Sequence, residues 1–145
     1  MKAAALLLAL STCAAHAQSL PEQLAPLPNI SFKDWRNLTL GKTVVYEING
    51  ETFSYEIYNG GSSVTIQLEN GSCIDGTWFM EQSAFCFEWI DGPLNCFNHK
   101  RLGEDIYVIG LENGVETTDI QKVARIDNIA VSCGPALLSS FPVNP

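Results

Sequence analysis

The sequence predicts an all-β fold, an antiparallel up-and-down meander of about eight strands forming a barrel or half-barrel, with one short N-terminal helix. Apolar residues alternate with a period of two from Thr43 onward. Short turns recur at near-regular spacing, at Asn49-Gly50, Gly60-Gly61, Asn70-Gly71, Asp91-Gly92 and Asn113-Gly114. No parallel βαβ pattern interrupts them. A long sheet with one apolar face must curl on itself or fold over, so a barrel is the first expectation and a two-sheet sandwich the second.

The chain begins with a stretch that reads as a secretory signal peptide, Met1–Ala17. Lys2 supplies the positive start, Ala3 to Leu10 the apolar run, and Ala15-His16-Ala17 the small-x-small cleavage pattern. That run is shorter than the roughly 20 residues a membrane span needs, so no transmembrane anchor is expected. Leu10-Ser11-Thr12-Cys13 loosely resembles a lipoprotein box, with Thr12 an awkward neighbour for an acylated Cys13. The expected destination is therefore periplasmic or secreted. Residues 18–30 contain Pro21, Pro26 and Pro28 and read as a Pro-rich, extended and weakly ordered leader. One β-barrel-like domain is expected over 31–135, followed by a loose tail over 136–145.

Ser31 suits a helix N-cap, with Asp34 in a capping-box-like position. Phe32, Trp35 and Leu38 recur at helical spacing and Gly41 ends the turn. The expected helix, Phe32 to Thr39, is a plug against the sheet. Val44, Tyr46 and Ile48 then alternate with Thr43, Val45 and Glu47. A two-residue turn at Asn49-Gly50 pairs Ile48 with Glu51, Tyr46 with Phe53 and Val44 with Tyr55, so that the apolar faces coincide. By the same logic Phe53, Tyr55 and Ile57 face inward, opposite Leu68, Ile66 and Val64. Beyond Gly71, Ile74, Gly76, Trp78 and Met80 line the inner face. A turn at Glu81-Gln82 sets Trp78 opposite Phe85 and Gly76 opposite Phe87, and an aromatic ring over Gly76 would explain its small size.

The next hairpin is the centre of the chain. A loop at Ile90-Asp91-Gly92, with Gly92 left-handed, sets Cys86 opposite Cys96 and puts Phe85, Phe87, Trp89 and Phe97 on the other face. Asp105–Leu111 and Val115–Ile126 supply two more strands, and Ile129–Val131 is a candidate for a short last one.

Four cysteines remain beyond Cys13. Their even number in an exported chain argues for two disulfides, and four cysteines allow three connectivities. The hairpin register favours Cys86–Cys96 and leaves Cys73–Cys133. There is no CxxC and only one histidine after residue 17, so no metal site is expected. The formal net charge of −8 argues against nucleic acid and anionic membrane surfaces as partners.

Catalysis finds little support, and no catalytic residue or cofactor is assigned. No GxSxG elbow, HExxH or phosphate-cradling loop occurs. His99 lies on the opposite strand face from Cys96 and reads as an ordinary strand-end residue. Glu47, Glu56, Glu88 and Asp75 read as solvated outer-face residues, and Glu112, Asn113 and Asp119 lack EF-hand spacing. The candidate site is the inner aromatic face: Tyr46, Phe53, Tyr55, Trp78, Phe85, Phe87, Trp89 and Phe97. It forms either a filled core or a cavity for one small ligand. With few charges expected inside, the ligand would be apolar. The expected role is a non-catalytic exported domain that binds a small apolar ligand or a protein partner. The alternatives are an envelope structural or stress protein and an inhibitor of a secreted hydrolase.

Gly76-Thr77-Trp78, followed by Phe85-Cys86-Phe87-Glu88-Trp89 and Asn95-Cys96-Phe97, resembles a pattern in uncharacterised small exported bacterial proteins. The resemblance covers Leu38 to Val108. It implies a periplasmic or secreted β-rich domain with a hairpin disulfide, and brings no activity with it. The chain is more loosely similar to lipocalin-like barrels and to small barrel inhibitors of secreted proteases. Lipocalins carry Gly-x-Trp in the first strand, whereas here it falls mid-meander, so no ligand site is carried over.

Overall fold

The computed structural model describes residues 17–133. Nearly all of the expected signal segment, Cys13 and the 136–145 tail lie outside the described residues. Two short helices, α1 (Leu20–Leu24) and α2 (Phe32–Thr39), precede eight strands: β1 (Thr43–Ile48), β2 (Glu51–Tyr58), β3 (Ser63–Leu68), β4 (Cys73–Glu81), β5 (Ala84–Trp89), β6 (Leu94–Leu102), β7 (Asp105–Glu112) and β8 (Val115–Asp127). Each strand pairs antiparallel with the next, and β8 returns to β1 to close the barrel. Closure removes both sheet edges, which is how one long meander satisfies its backbone groups.

The turns follow from local chemistry. Asn49-Gly50 and Asn113-Gly114 both adopt positive φ at both positions, as a two-residue hairpin turn requires. In the β5–β6 loop the left-handed residue is Asp91 (φ 57°) rather than the expected Gly92. Gly92 is needed there for space, because a Cβ would sit 3.0 Å from the Cβ of Trp89. The β4–β5 turn is centred on Gln82-Ser83, one residue later than expected. Trp78 therefore opposes Phe87, and Gly76 opposes Trp89. The ring over Gly76 belongs to Trp89.

The expected register holds at β3–β4, where Ile66 opposes Ile74, and at β5–β6, where Cys86 opposes Cys96. It fails at β1–β2. Glu47 pairs with Thr52, but Tyr46 pairs with Ser54 and Val44 with Glu56. Phe53 is the extra residue of a β-bulge, and one extra residue exchanges the two faces of the strand beyond it. Ser54, Glu56 and Tyr58 thus point into the barrel and are buried, while Tyr55 and Ile57 fall on the outer face, half-buried.

The helix α2 closes one end. The Ser31 Oγ accepts from the Asp34 N–H at 3.1 Å and starts it. Trp35 is fully buried and donates its Nε1–H to the Tyr58 hydroxyl at 3.1 Å. Around it pack Val44, Tyr58, Val64, Trp78, Phe85 and Ile106. The hairpin turns at the opposite rim leave that end open.

Where the prolines predicted an extended leader, Leu20–Leu24 are helical and Leu24 is buried. The segment then runs along the outside of β6: Asn29 bridges to Lys100, and the Ile30 N–H donates to the His99 carbonyl at 2.7 Å. Ile129–Val131 are not a strand. This segment passes outside the barrel, where the Thr43 hydroxyl donates to the Ile129 carbonyl and Gln67 Nε2 to the Ser132 carbonyl. Disulfides join Cys86 to Cys96 and Cys73 to Cys133. Two such bonds suit an oxidising environment outside the cytosol. Among the described residues, no helix is long and apolar enough to cross a membrane.

Candidate functional site

The barrel interior is divided. The half next to α2 is filled by Trp35, Tyr58, Trp78 and Phe85. The half toward the hairpin rim holds a cavity of about 340 Å³. Filled core and ligand cavity are therefore not alternatives here, because the plug occupies only one end of the barrel. The cavity volume falls within the roughly 300–1,000 Å³ typical of small-molecule sites.

Five of the eight predicted aromatic residues line the cavity: Tyr46, Phe53, Phe87, Trp89 and Phe97. Phe87 and Trp89 stack with centroids 5.7 Å apart, and Phe97 meets Phe87 edge-on at 5.9 Å. Together they form one aromatic wall. Phe53 sits at the rim, 39% exposed, because the bulge carries it there. Trp78 and Phe85 belong to the filled half. Tyr55 is on the outer face and is removed from the site. Ile66, Leu68, Ile74 and Val108 complete the apolar lining.

The polar lining was missed from the sequence. Ser54, Glu56 and His99 all contribute to the cavity beside the expected Tyr46, together with Asn95, Asp119 and Gln121. Glu56 is a buried residue of the inner face rather than a solvated one. The Tyr46 hydroxyl donates to its Oε1 at 3.0 Å. Burial pushes the carboxyl up to about 7, against a smaller opposing pull from the Tyr58 and Tyr46 hydroxyls. The same burial, with the Glu56 charge adding to it, drives both phenols well above their ordinary range.

His99 is not a strand-end residue but a fully buried one in the middle of β6. Its ring lies between Trp35 and Phe85, at centroid distances of 4.5 and 4.4 Å. Burial lowers its pKa to about 3, so the imidazole is neutral. No described residue bonds either ring nitrogen in good geometry, although the Phe97 backbone lies near enough to oppose the effect of burial, and the buried Ser54 hydroxyl has no partner among the described residues. Buried polar atoms are normally paired, and leaving one unpaired costs about 1–3 kcal/mol. The sequence signal that could have located these groups is the parity of β6: Asn95, Phe97 and His99 share one face, so an inward Phe97 implied an inward His99.

On the outside, the Glu81 carboxylate lies near the sulfurs of Cys86 and Cys96. Both sulfurs are spent in the disulfide and offer no thiolate to a metal. Comparison with protein-family models, curated proteins and solved structures finds no match to this chain.

Proposed function

We propose that the protein is an exported, non-catalytic binding protein that holds one small, mostly apolar molecule with a polar end inside its barrel. One observation carries this reading. Among the described residues, the buried Ser54 Oγ and the His99 ring nitrogens make no hydrogen bond of good geometry, and Ser54 and His99 both line the 340 Å³ cavity. A ligand with a hydrogen-bonding end supplies the missing partners, while its body takes the aromatic wall. Export rests on the Met1–Ala17 pattern together with the two disulfides. The expectation of a purely apolar ligand gives way to an amphipathic one, because Glu56 and His99 face inward.

Titration with the neutral fluorescent probe N-phenyl-1-naphthylamine tests the reading. Saturable binding of one probe per chain is expected. It should be lost in Ile66→Trp, which fills the cavity from the β3 wall. Failure of the wild-type protein to bind the probe, joined to a native mass spectrum from its own host showing only bare chain, would overturn it.

A further inference from the structure

We propose that the cavity selects an organic cation, an ammonium group on an apolar body, with the charge placed against Glu56 and the body against Phe87, Trp89 and Phe97. This inference rests on the binding reading above and names its ligand class.

The charge inventory of the cavity is one-sided. Glu56 and Asp119 line it, and no lysine or arginine does. An anionic ligand would meet two carboxylates and no counter-ion. Glu56 itself is a buried acid whose hydrogen-bonding neighbours among the described residues are the hydroxyls of Tyr46 and Tyr58, with no cation beside them. A buried carboxylate is favourable only when it is paired, and a bound ammonium is the partner it lacks.

The hydrogen-bond inventory agrees. An ammonium has three donors and no acceptor. Three residues that line the cavity carry acceptors: Glu56 its carboxylate, Ser54 its hydroxyl and neutral His99 one ring nitrogen. Ser54 and Glu56 are neighbours on the inner face of one strand. The aromatic wall adds negative ring faces, which attract cations and are indifferent to alcohols. The formal net charge of −8 draws cations toward the molecule from a distance.

Three ligands with one body separate the cases: 4-phenylbutylamine, 4-phenylbutanol and 4-phenylbutyrate, measured by calorimetry at pH 8 on the disulfide-bonded protein. The amine should bind at least about tenfold more tightly than the alcohol, and the butyrate more weakly than both. Glu56→Gln should erase the amine's advantage over the alcohol, with folding checked by circular dichroism. Asp119→Asn, at the mouth, should retain a clear preference for the amine. At pH 5.5 Glu56 is protonated and the advantage should shrink in the wild type. Tyr46 and Tyr58 stay protonated and His99 stays neutral over that range, so the change is not theirs. Equal or tighter binding of alcohol or butyrate would overturn the cation assignment and leave the binding protein standing. If all three fail while N-phenyl-1-naphthylamine binds, the cation assignment falls alone. If the neutral probe fails too and the native mass spectrum shows only bare chain, both readings fall.

Discussion

The Lys100 ammonium lies 2.6 Å from the Glu116 carboxylate, on the outer face of the barrel. Its Nζ also donates to the Leu24 carbonyl at 3.2 Å. The Lys100 side chain is only 6% exposed, against 30% for Glu116. One covered cation thus ties β6 to β8 and holds the N-terminal segment over both. Lys100→Met should cost about 2 kcal/mol in urea unfolding, less than the 3–5 kcal/mol of a fully buried pair, because Glu116 regains water. Limited proteolysis should then cut residues 17–30 sooner than in the wild type. Unchanged cleavage would mean that the segment is held by Leu24 and Asn29 alone.

The two disulfides close loops of different length, with sequence separations of 60 for Cys73–Cys133 and 10 for Cys86–Cys96. On the chain-entropy account, removing the first should cost about 4 kcal/mol and the second about 3 kcal/mol. Paired Cys→Ala variants compared by chemical denaturation test the order. Non-reducing peptide mapping should recover both links, and a Cys73–Cys86 peptide would contradict the β5–β6 register.

Gly76 lies under Trp89. An added Cβ would stand 2.7 Å from the Glu88 carbonyl oxygen and 2.8 Å from Trp89 Cε3. The first of these is backbone and cannot swing aside, so Gly76→Ala must separate β4 from β5. A loss of about 1–3 kcal/mol is expected, in the range of other overpacked sites. Trp89 would move with it, so binding of N-phenyl-1-naphthylamine should weaken together with thermal stability. A stable variant with unchanged binding would show that the strands have slack.

Stability of the ligand-free protein should show a plateau in pH. The folded-state pKa of Glu56 is raised from 4.5 to about 7. Its contribution is therefore full below about 4.5 and is lost as pH rises toward 7. The folded-state pKa of His99 is lowered from 6.5 to about 3. Its contribution is full above about 6.5 and is lost as pH falls toward 3. Between about 4.5 and 6.5 the two slopes oppose each other, and stability should vary little from these groups. Glu56→Gln should remove the decline on the alkaline side, and His99→Phe the decline on the acid side. Urea midpoints measured from pH 3 to 8 decide the matter.

His99→Phe has a second expected effect. It keeps a ring between Trp35 and Phe85 and removes two unpartnered nitrogens. The ligand-free protein should gain about 1–3 kcal/mol, the cost of an unsatisfied buried group. Affinity for 4-phenylbutylamine should fall at the same time. Gain of stability with loss of binding is the signature of a polar group kept for function.

Much of the fold was legible because it is local. Turn residues such as Asn49-Gly50 and Asn113-Gly114 dictate hairpins, and the period-two pattern dictates strands. The Cys86–Cys96 pairing follows from the length of one loop. The Ser31 cap and the spacing of Phe32, Trp35 and Leu38 define α2. The aromatic wall of Phe87, Trp89 and Phe97 was legible for the same reason, since one hairpin carries all three.

The part of the polar floor that β2 supplies, Ser54 and Glu56, was not, and the cause is one residue. In β2 the sequence offers apolar side chains at Phe53, Tyr55 and Ile57, and alternation alone assigns these to the interior. The bulge at Phe53 reverses that assignment beyond it. No local preference places the bulge. Its inward residues find partners that exist only once the barrel has closed and α2 has docked: the Trp35 indole for Tyr58, and the Tyr46 hydroxyl for Glu56. Sequence by itself determined strand order, the Asn-Gly turns, the hairpin disulfide and the plug. Tertiary structure alone decided which face of β2 meets the cavity, because a one-residue shift is cheap locally and is resolved only by contacts between strands far apart in the chain.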